Sequence, residues 1–351
     1  MIEISASTRV VIRTPNALGD TVMSTPAIRR IAEVVPPANL TLVGVPVSIE
    51  TLAGNPWAGE SIVYDRRGAH RGALGFWRFS RGLAECAFDL AVIFPNSFSS
   101  ALMFSLAHVA GRIGYRKEGR GVLLTEGLKR PQDEQGKFAP RYTGEYFGAL
   151  TDLLGGLPPI RMWPELHIDE QGEAECRAWM RASGLAQGER FFIVAPGAAF
   201  GPSKVWLPER YAQVSDELAR ARGARCLVSY GPGEEDIAGA VKTRLAIPPL
   251  PDARLSLRGL KSLYARAAFV LTNDTGPRHL AVAFGIPHIT IMGPNDPAYT
   301  YLPGEPGEVM RETVECSPCQ LKVCPRAEKI CMTQLSVERV LAACLRHFPD
   351  S

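Results

Sequence analysis

The chain has 351 residues, enough for two domains of ordinary size, each with a full hydrophobic core. Its 46% hydrophobic and 21% charged residues are the composition of a soluble globular protein, and the lack of an apolar run of about 18 residues excludes a membrane-spanning helix. A net charge of +3 without aromatic RNA-binding signatures argues against nucleic acid as a partner, and the first residues lack the apolar core of a signal peptide, so a cytoplasmic location is expected.

The charge is uneven. Between Arg66 and Arg141 there are 13 basic and 6 acidic residues, among them Arg66, Arg67, Arg71, Arg78, Arg81, Arg112, Arg116, Lys117 and Arg120. Such a field suits an anionic partner: a phosphorylated or carboxylated substrate, or an anionic membrane surface. For any single arginine, a solvated face is the simpler account.

In chain order, Arg9 to Thr14 reads as a short β-branched strand, followed by the loop Pro15 to Asp20 and a helical run from Thr21 to Val34. A loop between the first strand and its helix is where open α/β sheets place ligands, so Asp20 is a candidate site residue, with helix N-cap as the alternative. Further strands read at Leu40 to Val45, Ile62 to Tyr64 and Leu90 to Phe94, separated by helical stretches. This alternation predicts a parallel sheet with helices on both faces. Asn96 and Ser97 begin a second loop at the same sheet edge. After a helix from about Arg141 to Leu154, the Pro- and Gly-rich stretch from Gly155 to Pro164 marks a linker. The expected first domain is therefore 1–158 and the second 159–334, with a final helix in 335–351 that crosses back onto the first.

The second half repeats the alternation, with strands at Arg190 to Ala195, Arg225 to Tyr230, Ala268 to Leu271 and Pro287 to Met292, and helices at Leu207 to Arg222 and Glu234 to Leu245. Three of its loops carry chemistry. The Gly- and Pro-rich stretch from Ala195 to Pro208 holds Lys204, offering backbone donors and a cation to a phosphate. In Tyr230-Gly231-Pro232-Gly233-Glu234-Glu235-Asp236, a carboxylate either accepts from ribose hydroxyls or sits favourably in a helix's first turn. In Leu271-Thr272-Asn273-Asp274-Thr275-Gly276-Pro277-Arg278-His279, a strand passes directly into a helix. There the backbone N–H groups of Thr275 and Gly276 are expected to face an anion. Asp274 is left as helix cap, ribose acceptor or catalytic group, and His279 is either a site residue or a packed one. A dehydrogenase is disfavoured because Asp236 fills the third glycine place of G-x-G-x-x-G, and a P-loop because G-x-x-x-x-G-K-[ST] is missing.

Five of these segments, LGDTVMSTPAIR from Leu18, FPNSFSSAL from Phe94, APGAAFGPSKVWLPERYA from Ala195, YGPGEEDIA from Tyr230 and LTNDTGPRHLAVAFGIP from Leu271, resemble glycosyltransferase family nine. These are the ADP-heptose:lipopolysaccharide heptosyltransferases, and the heptosyltransferase II members are the most similar. The resemblance covers nearly the whole chain. It implies a GT-B α/β fold of two Rossmann-like doubly wound domains facing across a cleft, acceptor on the first and nucleotide sugar on the second. It also implies inverting, metal-independent transfer of L-glycero-D-manno-heptose from ADP-heptose to the lipopolysaccharide inner core, with no cofactor needed for catalysis; the basic region adds the expectation of peripheral contact with the anionic inner membrane surface. On this sequence the implied base is Asp20. Lys204 would stabilise the departing diphosphate with Thr275 and Gly276. Asp274 and His279 would hold the donor sugar and phosphate, Glu235 or Glu234 the adenosine ribose, and Asn96, Ser97 and Arg120 the acceptor. A transferase for another nucleotide sugar and a non-catalytic glycan-binding protein of the same fold remain alternatives.

Two features depart from the family pattern. Leu257-Arg258-Gly259-Leu260-Lys261-Ser262-Leu263 resembles an LxGxTxL loop, but Lys261 stands where Thr is usual. Cys316, Cys319, Cys324 and Cys331 crowd the 316–331 loop with the spacing C-x2-C-x4-C-x6-C. In a cytoplasmic protein this favours metal over disulfides, but the spacing is irregular for common zinc patterns, so structural zinc, an iron–sulfur cluster, disulfides and free thiols all stay open.

Overall fold

Val10–Arg13 (β2), Leu40–Gly44 (β3) and Leu90–Ile93 (β5) are buried along their whole lengths. Strands apolar on both faces require cover on both faces, which is the signature of a parallel sheet between helical layers. The computed structural model, which describes residues 2–136, 138–186 and 188–350, has that arrangement twice. It divides into two compact units, the first ending at His167 and the second beginning at Ile168.

In the first unit β2, β3 and β5 join Glu60–Val63 (β4), Gly111–Tyr115 (β6) and Glu126–Leu128 (β7) in an all-parallel sheet of order β4-β3-β2-β5-β6-β7. That is the doubly wound dinucleotide-fold order, which reverses direction between β2 and β5. Helix α1 (Leu18–Ala32) follows β2, and α4 (Phe98–Leu106) follows β5. The short pair Ile2–Glu3 (β1) and Leu154–Gly155 (β8) ties the N-terminal segment to the end of α5 (Thr143–Thr151). The second unit's sheet is also all parallel: Arg225–Val228 (β10), Phe191–Ala195 (β9), Phe269–Asn273 (β11), His288–Ile291 (β12) and Gly307–Met310 (β13), in the order β10-β9-β11-β12-β13. Its direction reverses between β9 and β11. Helices α7 (Pro208–Arg222), α8 (Glu235–Lys242), α9 (Leu257–Tyr264) and α10 (Gly276–Ala283) connect the strands.

Three expectations need correction. The unit boundary lies nine residues beyond the expected 158, because the linker is fastened to the first unit: Arg30 Nε donates to Pro158 O at 2.7 Å, Arg29 pairs with Glu165 at 2.6 Å, and the Glu165 N–H reaches Thr25 Oγ1 at 3.0 Å. The last helix, α12 (Val337–His347), belongs to the second unit. Its Val340, Ala343 and Cys344, with Phe348, enter the same core as Phe192, Phe269 and Met332, and the Phe348 ring stacks on Phe269 at 5.0 Å. Third, the LxGxTxL-like segment is helix α9, capped by Ser256 and carrying Lys261 fully buried, where burial lowers its pKa to about 8.

Candidate active site

Open α/β sheets leave a crevice where the strand order reverses, because the helices after the two diverging strands lie on opposite faces. In the first unit that point lies between the ends of β2 and β5. Asp20 lies in the first turn of α1, half-buried, and is not its cap: the N-cap is Ala17, without a side-chain hydrogen bond. After β5, Asn96 Nδ2 donates to Tyr146 Oη at 3.1 Å, and the exposed Ser97 caps α4 by accepting from the Ser100 N–H at 3.3 Å.

Arg120 differs from its expected role at the acceptor surface. It is fully buried and donates to Tyr115 O at 2.7 Å, to Pro95 O, to Ser100 Oγ at 3.2 Å and to Asn96 Oδ1 at 3.4 Å. Gly114 leaves the space for it, since a Cβ there would stand 2.9 Å from Arg120 Nη2. Arg120 thus shapes the loop that presents Asn96 and Ser97. The basic region divides accordingly: Arg112 is also tied to backbone carbonyls, whereas Arg66, Arg67, Arg71, Arg78 and Arg81 remain exposed.

In the second unit the reversal lies between β9 and β11, and the residues after both strands are joined there. Asn273 Nδ2 donates to Pro196 O at 2.7 Å and Gly197 O at 3.1 Å, while its Oδ1 accepts from Tyr211 Oη at 2.8 Å. Lys204, in a single 3-10 turn, is 8% exposed; its Nζ donates to Asp274 O at 2.7 Å and Asp274 Oδ2 at 3.0 Å. An ammonium has three donors, and the third makes no hydrogen bond among the described residues, although Nζ also lies over the Phe200 ring at 4.8 Å.

Asp274 is the hub of this network. Besides Lys204, its carboxylate accepts from Arg278 Nη1 at 3.0 Å, Asn295 Nδ2 at 2.7 Å and Thr300 Oγ1 at 3.0 Å. Burial alone would raise its pKa, but Lys204, Arg278 and His279 outweigh it and hold the carboxyl well below the usual range. With its oxygens engaged, Asp274 orients Lys204 and does not itself cap α10, whose N-cap is Thr275. Arg278 pairs further with Glu305 at 2.7 Å, both side chains wholly buried. His279 is buried too, and burial, with Arg278 adding, lowers its pKa to about 4, so it is neutral at pH 7. The sequence reading missed Arg278, Asn295, Thr300 and Glu305. The four-residue spacing from Asp274, in the turn before α10, to Arg278 in its first turn was the only available signal.

Three polar groups beside this hub lack partners among the described residues: the Gly276 N–H, at the positive end of α10, Thr275 Oγ1 and Asn295 Oδ1, the last two fully enclosed. The Thr275 N–H, expected to face an anion, instead donates to Asn273 O at 2.8 Å. Of the two carboxylates after β10, Glu235 is exposed, whereas Glu234 turns back to accept from the Gly231 N–H at 2.8 Å. The Glu234 carboxylate also lies on Gly197, where a Cβ would meet its Cδ at 2.2 Å. The arrangement gathers one buried cation, one helix-end amide and several carboxylates at the reversal point of the second sheet.

The model of glycosyltransferase family 9 (heptosyltransferase) matches residues 76–330. The chain belongs to this family. Among relatives in the family, lipopolysaccharide heptosyltransferase 2 of Salmonella typhimurium is 27% identical over 302 residues, 83% of this chain and 84% of that protein. A glycosyltransferase family 9 structure from Veillonella parvula superposes with a TM-score of 0.85 at 19% identity, covering 98% of both chains. The E. coli ADP-heptose LPS heptosyltransferase II structure superposes at 0.76 with 23% identity, over 97% of this chain and 99% of that one. The fold is therefore GT-B: an α/β chain with two parallel sheets, as in the heptosyltransferase structures.

Proposed function

We propose that this glycosyltransferase moves L-glycero-D-manno-heptose from ADP-heptose to a hydroxyl of the lipopolysaccharide inner core, with inversion and without a metal ion in the chemical step. The observation that carries this reading is the third donor of Lys204 and the Gly276 N–H at the start of α10, two donors from which a diphosphate can accept at a sheet's reversal point. Family membership and the names of the relatives, which specify heptose and ADP-heptose, supply the substrate class.

In the proposed reaction, Asp20 takes the proton from the acceptor hydroxyl as its oxygen attacks the anomeric carbon. The bond to the β-phosphate oxygen breaks in the same step, which inverts the centre. Negative charge grows on ADP, where Lys204, held by Asp274, and the Gly276 amide stabilise it. Glu234 is better placed than Glu235 for the ribose, because it lies on the Gly197 loop. Asn96 and Ser97 contact the acceptor.

The acceptor is lipid-anchored, and helix α3 (Gly72–Gly82) suits an anionic membrane surface at the cytoplasmic side of the inner membrane. Arg71, Leu74, Arg78 and Arg81 lie exposed along one helical stripe, with Trp77 beside them; Leu74 is 70% exposed and Trp77 51%. No helix among the described residues is long and apolar enough to cross a membrane.

The deciding experiment incubates the protein with ADP-heptose, other nucleotide sugars and truncated lipopolysaccharide acceptors. Heptose transfer that Asp20→Ala abolishes, with ADP binding intact, is expected; transfer by that variant at the parental rate removes Asp20 as the base.

A further inference from the structure

The function above makes no use of the cysteine-rich loop. Cys316, Cys319, Cys324 and Cys331 are all free, and all four line one cavity of about 90 Å³. The other four cysteines lie elsewhere, Cys226 and Cys344 in the second unit's core. Cys331 stands on the short helix Ile330–Thr333 (α11), whose Met332 is fully buried, so this sulfur has a fixed base. The other three are on the irregular stretch before it and can adjust. Arg326 and Lys329 line the same cavity. Among the described residues no three His, Cys, Asp or Glu side chains already form a metal-holding set, so an ion would have to draw these sulfurs together.

The loop is also stitched to both segments that build the anion site. Ser203, next to Lys204, donates from its N–H to Lys322 O at 3.2 Å and from its hydroxyl to Leu321 O at 2.6 Å. Gly201 packs so closely that a Cβ there would stand 2.4 Å from Lys322 O. On the other side, Ser317 Oγ donates to Gly293 O at 2.6 Å and the Gln320 N–H to Pro294 O at 2.9 Å; the next residue, Asn295, holds the Asp274 carboxylate.

We propose that Cys316, Cys319, Cys324 and Cys331 bind one thiophilic metal ion, zinc or iron, as four thiolates, and that this ion fixes the 201–204 and 293–295 segments around the Lys204–Asp274 pair. Four soft sulfur ligands in tetrahedral array select zinc or iron over hard cations. Binding releases four thiol protons to solvent, and Arg326 and Lys329 offset the negative charge left on the site. The ion is structural and takes no part in glycosyl transfer. The metal claim stands apart from the transferase reading; only the importance of the clamped loops for donor binding rests on it.

The test uses the full chain purified under reducing conditions, with zinc and iron measured by plasma mass spectrometry. About one ion per chain is expected. The double variant Cys316→Ser/Cys319→Ser should lose it, and Cys86→Ser, in the first unit, should keep it. To keep the test independent of the double variant's folding, the parental protein is also stripped with a chelator and reloaded with cobalt(II), which should give intense thiolate-to-cobalt bands. Hydrogen exchange in residues 198–206 should quicken several-fold on stripping while β5 is unchanged. No metal above background and no cobalt bands overturns the site, as does metal retained by the double variant, or a mass deficit of two hydrogens showing a disulfide among the four. Exchange in 198–206 that ignores stripping overturns the clamp alone. Absence of heptosyl transfer with metal bound would refute the transferase reading and leave the site standing.

Discussion

Asp274→Ala tests the central electrostatic argument most directly. It removes a carboxylate 3% exposed that accepts from Lys204 at 3.0 Å, Arg278 at 3.0 Å, Asn295 at 2.7 Å and Thr300 at 3.0 Å. Arg278 keeps Glu305, but Lys204 is left buried without its counter-charge. Breaking a buried pair from one side costs about 3–5 kcal/mol. For a unit of this size each kcal/mol moves Tm by about 2–4 °C, so the second unit should melt roughly 6–20 °C lower. Calorimetry, with hydrogen exchange in β9 and β11 to assign the transition, measures it. Lys204→Met costs less, because Asp274 retains Arg278, and the double variant should cost clearly less than the sum of the singles. The effect also has a pH signature. A depressed carboxyl contributes its full stabilisation above its unfolded pKa of about 3.9, and that contribution fades as pH falls through the lower folded value. The gap between parental protein and variant must therefore narrow below about pH 4. Additivity of the two variants within about 0.5 kcal/mol, or a gap that widens in acid, would refute the reasoning.

Arg120→Met should destabilise the first unit by about 3 kcal/mol or more through the carbonyls it leaves unpartnered, with activity falling in step with the folded fraction; a stable but inactive variant would instead return Arg120 to the acceptor site. His279, whose folded pKa of about 4 lies below its unfolded value, makes the second unit lose stability as pH falls from about 6.5 towards 4, since only the unfolded chain takes the proton there. His279→Gln should flatten that part of the stability curve, measured by urea melts at stepped pH. On α3, Trp77→Ser with Arg78→Glu should weaken co-sedimentation with phosphatidylglycerol vesicles and leave turnover on a soluble acceptor unchanged; equal binding by both proteins removes α3 as the contact.

Strand positions were legible in the sequence because doubly covered strands are apolar on both faces: Val10 to Ile12, Leu90–Ile93 and Phe191–Ala195 stand out as unbroken runs. The edge strands Glu126–Leu128 and Gly307–Met310, half wet, carry no such run and were not seen. Loops after strands were legible for the same reason, since Gly, Pro and capping residues cluster where a strand ends, and this singled out Asp20, Lys204 and Asp274. The use of each loop side chain was not legible. A charged residue reads the same in sequence whether solvent or a buried partner neutralises it, and partners such as Glu305 for Arg278, or Asn295 for Asp274, come from loops 27 and 21 residues further along the chain. Only the folded sheet brings them together, turning Arg120 from an expected acceptor contact into scaffold, joining Asp274 to Lys204, Arg278, Asn295 and Thr300, and gathering four cysteines of irregular spacing into the lining of one cavity.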